Sequence, residues 1–381
     1  MELFGDREAL YAMPEVFPAA LFDYPGVKQL FYSGPAWRGR PTRVFACCGV
    51  PEGASPENPV PGVVLIHGGG ATALADWVAL WNRRGYAAIS MDTCGCVPGW
   101  SVNPYCNRSW PRHEFSGPSG WSESMHEADL PPEEQWPYHA VRAAAAAHTL
   151  LRSMPGVDPE RTGVTGISWG AVVGETAVSL DSRFKFAAMV YGCGFLGRNS
   201  SWKETEFAKM PPELVERWVR LWDPSSYLAG DKVPILFCNG VSDRHFRPDS
   251  WWSTCRLVKP ELRHTALRVG MGHAHPPSGD QPEVAAFADA AVRGGKPLPR
   301  IVSQTPESVV YDAPIPLKRA ELNCTEDTGD WTRRRWKIVP ARIDREKRTV
   351  TAEIPPAATA WYFNIIDERG CIASGEIEEK K

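Results

Sequence analysis

The chain has 381 residues, 43% hydrophobic and 23% charged, with 42 Lys and Arg against 45 Asp and Glu. This composition buries a core, and a net charge of −3 without basic runs argues against nucleic acid or an anionic membrane as partner. No apolar stretch approaches the roughly 20 residues that span a bilayer, so no membrane partner is expected.

In chain order, Met1–Pro18 mixes Glu2, Asp6, Arg7 and Glu8 with prolines and does not read as a signal peptide. A cytoplasmic protein is favoured on that ground, with a secreted or periplasmic one the alternative if a signal has been removed. KQLFYSG and TRVFACCG look like an antiparallel pair at a sheet edge. PGVVLIHGG (61–69) is a continuous apolar run ending in glycines, which suits a strand buried on both faces. A helix over Leu74–Arg84 and a strand over 85–92 follow. Then come a long irregular segment, Gly95 to Trp136, and a helix over Tyr138–Met154.

RTGVTGIS (161–168) is a third strand, followed by a helix from Trp169 to Leu180. Further strands are expected at 184–192, 233–240 and 264–270, with helices near Trp251–Leu257 and over Pro282–Arg293. Strands alternating with helices imply an α/β fold: a mostly parallel central sheet with helices on both faces. GGKPLP (294–299) reads as a linker. From Ile301 onward 27 of 81 residues are charged against 60 of 300 before it, and 348–355, 360–367 and 371–378 read as short strands. The expected organisation is therefore an α/β domain over 1–300 and a small all-β, sandwich-like domain over 301–381 that leans on its neighbour.

The ten cysteines form no CxxC pair and no His/Cys cluster with zinc spacing, so no metal is expected. Most sit in apolar runs and read as small buried hydrophobes; one disulfide among Cys94, Cys96 and Cys106 is the alternative.

In an open α/β sheet, ligands bind at the carboxyl ends of the strands. After the third strand comes Gly166-Ile167-Ser168-Trp169-Gly170, a G-x-S-x-G at a strand–helix junction. A serine on such a sharp turn stands exposed to substrate, with helix N–H groups aimed where negative charge develops. Ser168 is the expected nucleophile; the competing reading is a glycine-rich turn with an N-capping serine. After the first strand comes His67-Gly68-Gly69-Gly70. The N–H of Gly69, with Gly70 as alternative, pairs with that of Trp169 as an oxyanion hole, and His67 is read as a brace for the loop. Neither phosphate-loop glycine pattern matches.

After the fifth strand, Asp243 is the first acid and Asp249 the next. After the sixth come His273 and His275. Ser168…Asp243…His273 has the Ser…Asp…His order of an α/β-hydrolase.

These residues, with VVLIHGGGATA, WNRRGYAAISMD, VDPERTGVTGISWGA, ILFCNGVSD and GMGHAHPP, resemble the α/β-hydrolase superfamily over about residues 60–300. More narrowly they are similar to its prolyl-oligopeptidase, dienelactone-hydrolase and acetylxylan-esterase-like branch. The resemblance implies a nucleophile at Ser168, an acid at Asp243 and a base at His273, without metal or organic cofactor. Only about 60 residues precede the HGGG strand, too few for the propeller of a large oligopeptidase.

The expected activity is therefore hydrolysis of a carboxylic ester, with a small-molecule or carbohydrate ester as substrate partner. A serine peptidase or aminopeptidase of the same branch is the alternative, and a non-catalytic carbohydrate-binding scaffold the reading from another class. A loop of about 40 residues inside a compact α/β domain is normally functional, so Trp100, Trp110 and Trp121 either stack on a sugar or line an acyl pocket, or else anchor the loop. Arg244 either contacts substrate or is solvated beside Asp243.

Overall fold

The computed structural model describes residues 2–5, 7–98, 110–120, 122–230, 232–274 and 280–380. Its first sheet has nine strands: β1 (Val16–Ala19), β2 (Lys28–Trp37), β3 (Arg40–Gly49), β4 (Val60–Ile66), β5 (Ala87–Met91), β6 (Val157–Ile167), β7 (Ala187–Val190), β8 (Ile235–Gly240) and β9 (Arg263–Arg268). Their spatial order is β1-β2-β3-β5-β4-β6-β7-β8-β9. β1, β2, β3 and β5 pair antiparallel in turn, and every pair from β5 across to β9 is parallel. β5, β7 and β8 have no exposed residue, as continuous apolar runs covered on both faces require.

The helices are α1 (Arg7–Leu10), α2 (Ala75–Arg83), α3 (Trp136–Ser153), α4 (Trp169–Leu180), α5 (Ser201–Glu204), α6 (Pro212–Trp222), α7 (Pro248–Cys255) and α8 (Pro282–Val292). α3 and α4 pack together on one face. On the other, the Tyr86 hydroxyl donates to Asp289 (2.8 Å) and Arg293 to the Arg84 carbonyl (2.8 Å), tying the end of α2 to α8.

Three local differences from the sequence reading have physical causes. The expected edge strand β2 is covered by a further strand, β1, whose alternating exposure over only four residues gives little pattern to read. The strand expected over 184–192 contracts to β7, because Tyr191 adopts φ 37°, which ends the extended run. The long connection after β7 contains α6, not assigned from sequence, whose Trp218 and Trp222 are buried four residues apart while Glu213, Glu216 and Arg220 face solvent.

A second sheet begins at Arg300. Its strands are β10 (Arg300–Thr305), β11 (Ser308–Asp312), β12 (Leu317–Thr325), β13 (Lys337–Asp344), β14 (Thr349–Thr351), β15 (Ala360–Asp367), β16 (Ile372–Ser374) and β17 (Glu378–Glu379). The order β10-β11-β14-β13-β12-β15-β16 is antiparallel throughout, with β17 also on β15. It is one curled path whose end strands approach each other, rather than two separate sheets: the Gln304 side chain of β10 accepts from Glu376 N–H (2.7 Å), two residues past β16.

Val309, Leu322, Phe363 and Ile365 fill the inside of this curl. β15 is buried along its whole length. Its odd residues Phe363 and Ile365 join that inner core, while Tyr362 and Ile366 join the core of the first sheet.

Several histidines shielded from water make stability depend on acid, His139 and His264 among them. Burial pushes His139 of α3 down to about 4 and His264 of β9 down to about 3, from an ordinary 6.5. Both are held neutral when folded, so below pH 6.5 the unfolded chain binds protons that the folded chain does not. The melting temperature should be flat above pH 6.5 and fall as the pH drops from 6.5 towards 4. Scanning fluorimetry across that range checks it, and His139→Gln should make the fall shallower.

Candidate functional site

Ser168 stands between the end of β6 and the start of α4 with φ 57° and ψ −123°. A non-glycine residue there is strained by about 1–3 kcal/mol, and the surroundings hold it. Its N–H donates to Val190 O (2.9 Å) on the neighbouring strand, and its carbonyl accepts from Ala171 N–H (2.8 Å) in the first turn of α4. The turn lies directly on the end of β4: a Cβ on Gly170 would sit 2.0 Å from Ile66 O. Only glycine lets the helix start reach the HGGG loop.

The three residues that the sequence set in order at strand ends come together in a hydrogen-bonded line. Ser168 Oγ lies 2.9 Å from His273 Nε2, and His273 Nδ1 lies 2.8 Å from Asp243 Oδ2. The other oxygen, Asp243 Oδ1, accepts from His245 N–H (2.8 Å) and Phe246 N–H (2.9 Å), so the carboxylate is locked by its own loop and presents one oxygen to the imidazole. Asp243 and Ser168 are buried, and the His273 side chain is 12% exposed. Asp249, the alternative acid, instead accepts from the Asn199 amide (2.8 Å). His275, the alternative base, lies outside the described residues.

In the HGGG loop, Ala71 N–H closes a turn on Gly68 O (3.3 Å), and Gly69 is exposed. Among the described residues, the N–H groups of Gly69 and Trp169 have no hydrogen-bond acceptor. His67 lies beneath the loop. Its Nε2 accepts from Thr93 N–H (3.0 Å), so Nδ1 carries the proton to Gly68 O (2.8 Å). Burial pushes its imidazole down despite Asp92 nearby, so it is a neutral brace. Asp92 Oδ2 in turn accepts from Cys94 and Cys96 N–H (2.8 and 2.9 Å), shaping the turn after β5.

Of the three loop tryptophans, only Trp110 falls among the described residues; Trp100 and Trp121 lie outside them. Trp110 is buried and its indole N–H donates to Gly70 O (3.1 Å), so it anchors the irregular segment to the glycine loop and presents no face to a sugar. Trp251 and Trp252 are also buried. Trp202 and Tyr191, which stand near the serine and its histidine, were not singled out from sequence. Trp169 packs against Trp136 (5.6 Å between rings) and Trp202 (4.7 Å), and Tyr191 lies 4.4 Å from His273. The Tyr191 hydroxyl donates to Ala274 O (2.5 Å), steadying the residue next to His273.

Arg244 is exposed, and its Nε–H donates to His245 Nε2 (3.1 Å). That leaves the proton of His245 on Nδ1, toward Ser201 Oγ (2.9 Å). The His245 ring stands 4.8 Å from His273.

The nine described cysteines are free and buried; a disulfide to Cys106 lies outside the described residues. Among the described residues, no group of three or more His, Cys, Asp or Glu could hold a metal ion, and no helix is long and apolar enough to cross a membrane. A cavity of about 410 Å³ lies between β9, β10 and β16, but none of its lining residues belongs to the Ser168 cluster.

The acid loop rests on the histidine segment at Gly240, where a Cβ would sit 2.2 Å from Met271 O. Gly240→Ala should therefore push the two apart and slow the reaction of Ser168 with a fluorophosphonate by about tenfold or more, since small misplacements of reacting groups are costly. Intact-mass kinetics on the folded variant checks this.

No protein-family model matches the chain, and no curated protein matches it. Solved structures do. An acetyl xylan esterase from Paenibacillus sp. R4 aligns with TM-score 0.56 and 20% identity, over 74% of this chain and 92% of that one. Acetyl xylan esterase 1 from Thermoanaerobacterium sp. JW/SL YS485 aligns with TM-score 0.51 and 17% identity, over 71% and 86%. A puromycin-hydrolyzing peptidase of Mycobacterium tuberculosis aligns with TM-score 0.51 and 19% identity, over 73% of this chain but 41% of that one. The chain has the α/β-hydrolase fold, with a second β unit.

Proposed function

We propose that this protein is a serine hydrolase of carboxylic esters, on a small-molecule or carbohydrate substrate. The observation that carries the reading is the line Ser168 Oγ–His273–Asp243, at 2.9 and 2.8 Å. His273 Nε2 takes the proton of Ser168 as Oγ bonds to the acyl carbon. Asp243 Oδ2 accepts the Nδ1 proton, fixes the tautomer and offsets the charge of the imidazolium. The N–H groups of Gly69 and Trp169 hold the oxyanion, and loss of one such donor typically costs about a hundred- to a thousandfold. As the tetrahedral species collapses, the carbon–oxygen bond to the alcohol breaks and His273 returns the proton to it. Water, deprotonated by the same imidazole, then frees the acid and regenerates Ser168.

Two acetyl xylan esterases covered over 92% and 86% of their lengths support ester hydrolysis. The likeness to a peptidase sustains amide hydrolysis as the second reading, although only 41% of that chain is covered.

A fluorophosphonate should label Ser168, and Ser168→Ala should abolish labelling and turnover. His273→Ala should lower kcat by at least about a thousandfold, because such residues act as a unit. A panel of nitrophenyl acyl esters against aminoacyl-nitroanilides separates the readings. Fast ester turnover without anilide cleavage is expected, and the reverse makes it a peptidase. Inactivity on both, without labelling, overturns the hydrolase reading.

A further inference from the structure

We infer that the C-terminal β unit is a working part of the site: Glu283, together with Ser374 of β16, positions His273 by clamping the strand and helix between which the histidine segment hangs. This rests on the hydrolase reading above, in which His273 is the base.

His273 lies between Arg268, the last residue of β9, and Pro282, the first of α8. One carboxylate oxygen spans those two ends. Glu283 is fully buried in the first turn of α8, and its Oε1 accepts from Arg268 at the end of β9 (2.5 Å). The same oxygen accepts from the backbone N–H of Ile372 in β16 (2.6 Å). Both ends of the segment and the second sheet thus meet at one atom.

A second set of bonds acts one residue earlier. Leu267 N–H donates to Ser374 Oγ (2.7 Å), and Leu267 O accepts from the Asn364 amide of β15 (3.0 Å). The Ser374 hydroxyl donates onward to Asn364 Oδ1 (2.6 Å), and Thr265 Oγ1 donates to Ser374 O (2.9 Å). β9 is an edge strand of its sheet, with main-chain groups on that side to be satisfied. Side chains of the second sheet satisfy those of Leu267, and Ser374 and Asn364 are buried. An apolar contact tolerates sliding, whereas buried hydrogen bonds between particular atoms favour one register. The network sits at the root of the segment that presents Nε2 to Ser168.

The two units also touch away from this root. Arg369 donates to Lys296 O and Pro297 O (2.8 Å each) in the connection before β10, which provides a control.

The test uses the full-length protein with Glu283→Gln, Ser374→Ala, Ser374→Thr and Arg369→Ala. Each is measured for kcat and KM on nitrophenyl acetate, for the rate of Ser168 phosphonylation and for melting temperature. Glu283→Gln keeps the shape and an acceptor for Ile372 N–H but leaves Arg268 without its charge partner. Glu283→Gln and Ser374→Ala should lower kcat and phosphonylation together by about tenfold or more with KM nearly unchanged, because displaced reacting groups cost rate. Ser374→Thr, which restores the hydroxyl, should recover most of that loss, and Arg369→Ala should lower the melting temperature alone. If Glu283→Gln does not fold, the Ser374 pair carries the same test. Variants that melt earlier but keep wild-type kcat and phosphonylation would reduce the network to domain glue and overturn the inference. A wild-type protein inert to ester and phosphonate overturns the hydrolase reading and this inference with it, a distinct result.

Discussion

The site depends on a backbone conformation that no serine adopts by preference. At φ 57° and ψ −123°, Ser168 turns the chain from β6 into α4 within one residue. The strain is borne by bonds and packing on every side: Val190 O from β7, the first turn of α4, and the end of β4 pressed against Gly170. The consequence is placement. The Oγ stands at the carboxyl edge of the sheet, where β8 delivers Asp243 and β9 delivers His273. The remaining elements keep those three loops at fixed separation, and His67 and Trp110 do so for the glycine loop, each through a hydrogen bond to one of its carbonyls.

The sheet itself was legible because parallel strands buried on both faces write themselves as continuous apolar runs. All six expected strands occur, within a few residues of their expected bounds. The meeting of Ser168, Asp243 and His273 at the strand ends was legible for a related reason. Chemistry in such a sheet sits at strand ends, so a short list of positions had to be inspected. Other features carried no such signature. The side chain of Trp110 gives no hint in sequence of whether its face meets substrate or its N–H meets Gly70 O. Tyr191 and Trp202 come from the connection after β7 and His245 from the loop after β8, and only the folded topology sets them beside His273 and Trp169.

The tail shows the limit more sharply. Its rise in charge and its short strands marked a change of architecture at about residue 300, and β10 begins there. What the composition could not convey is that Asn364, Ser374 and the Ile372 N–H address the main chain of β9 and the carboxylate of Glu283. Polar residues in a half-buried strand read as solvent-facing, but in β15 and β16 they face another sheet.

β15 has a consequence for how the molecule comes apart. A strand whose alternate residues belong to two cores, Phe363 and Ile365 to one, Tyr362 and Ile366 to the other, has no side left for water. Peeling the second sheet away would wet half of this strand and strip the outer edge of β9 at the same moment. The two layers are therefore coupled in their cooperativity, and loss of either exposes apolar surface on the other. The C-terminal unit cannot be exchanged as a cassette along the sequence boundary at 300; a transplant would have to carry with it the matching face of β9 and α8.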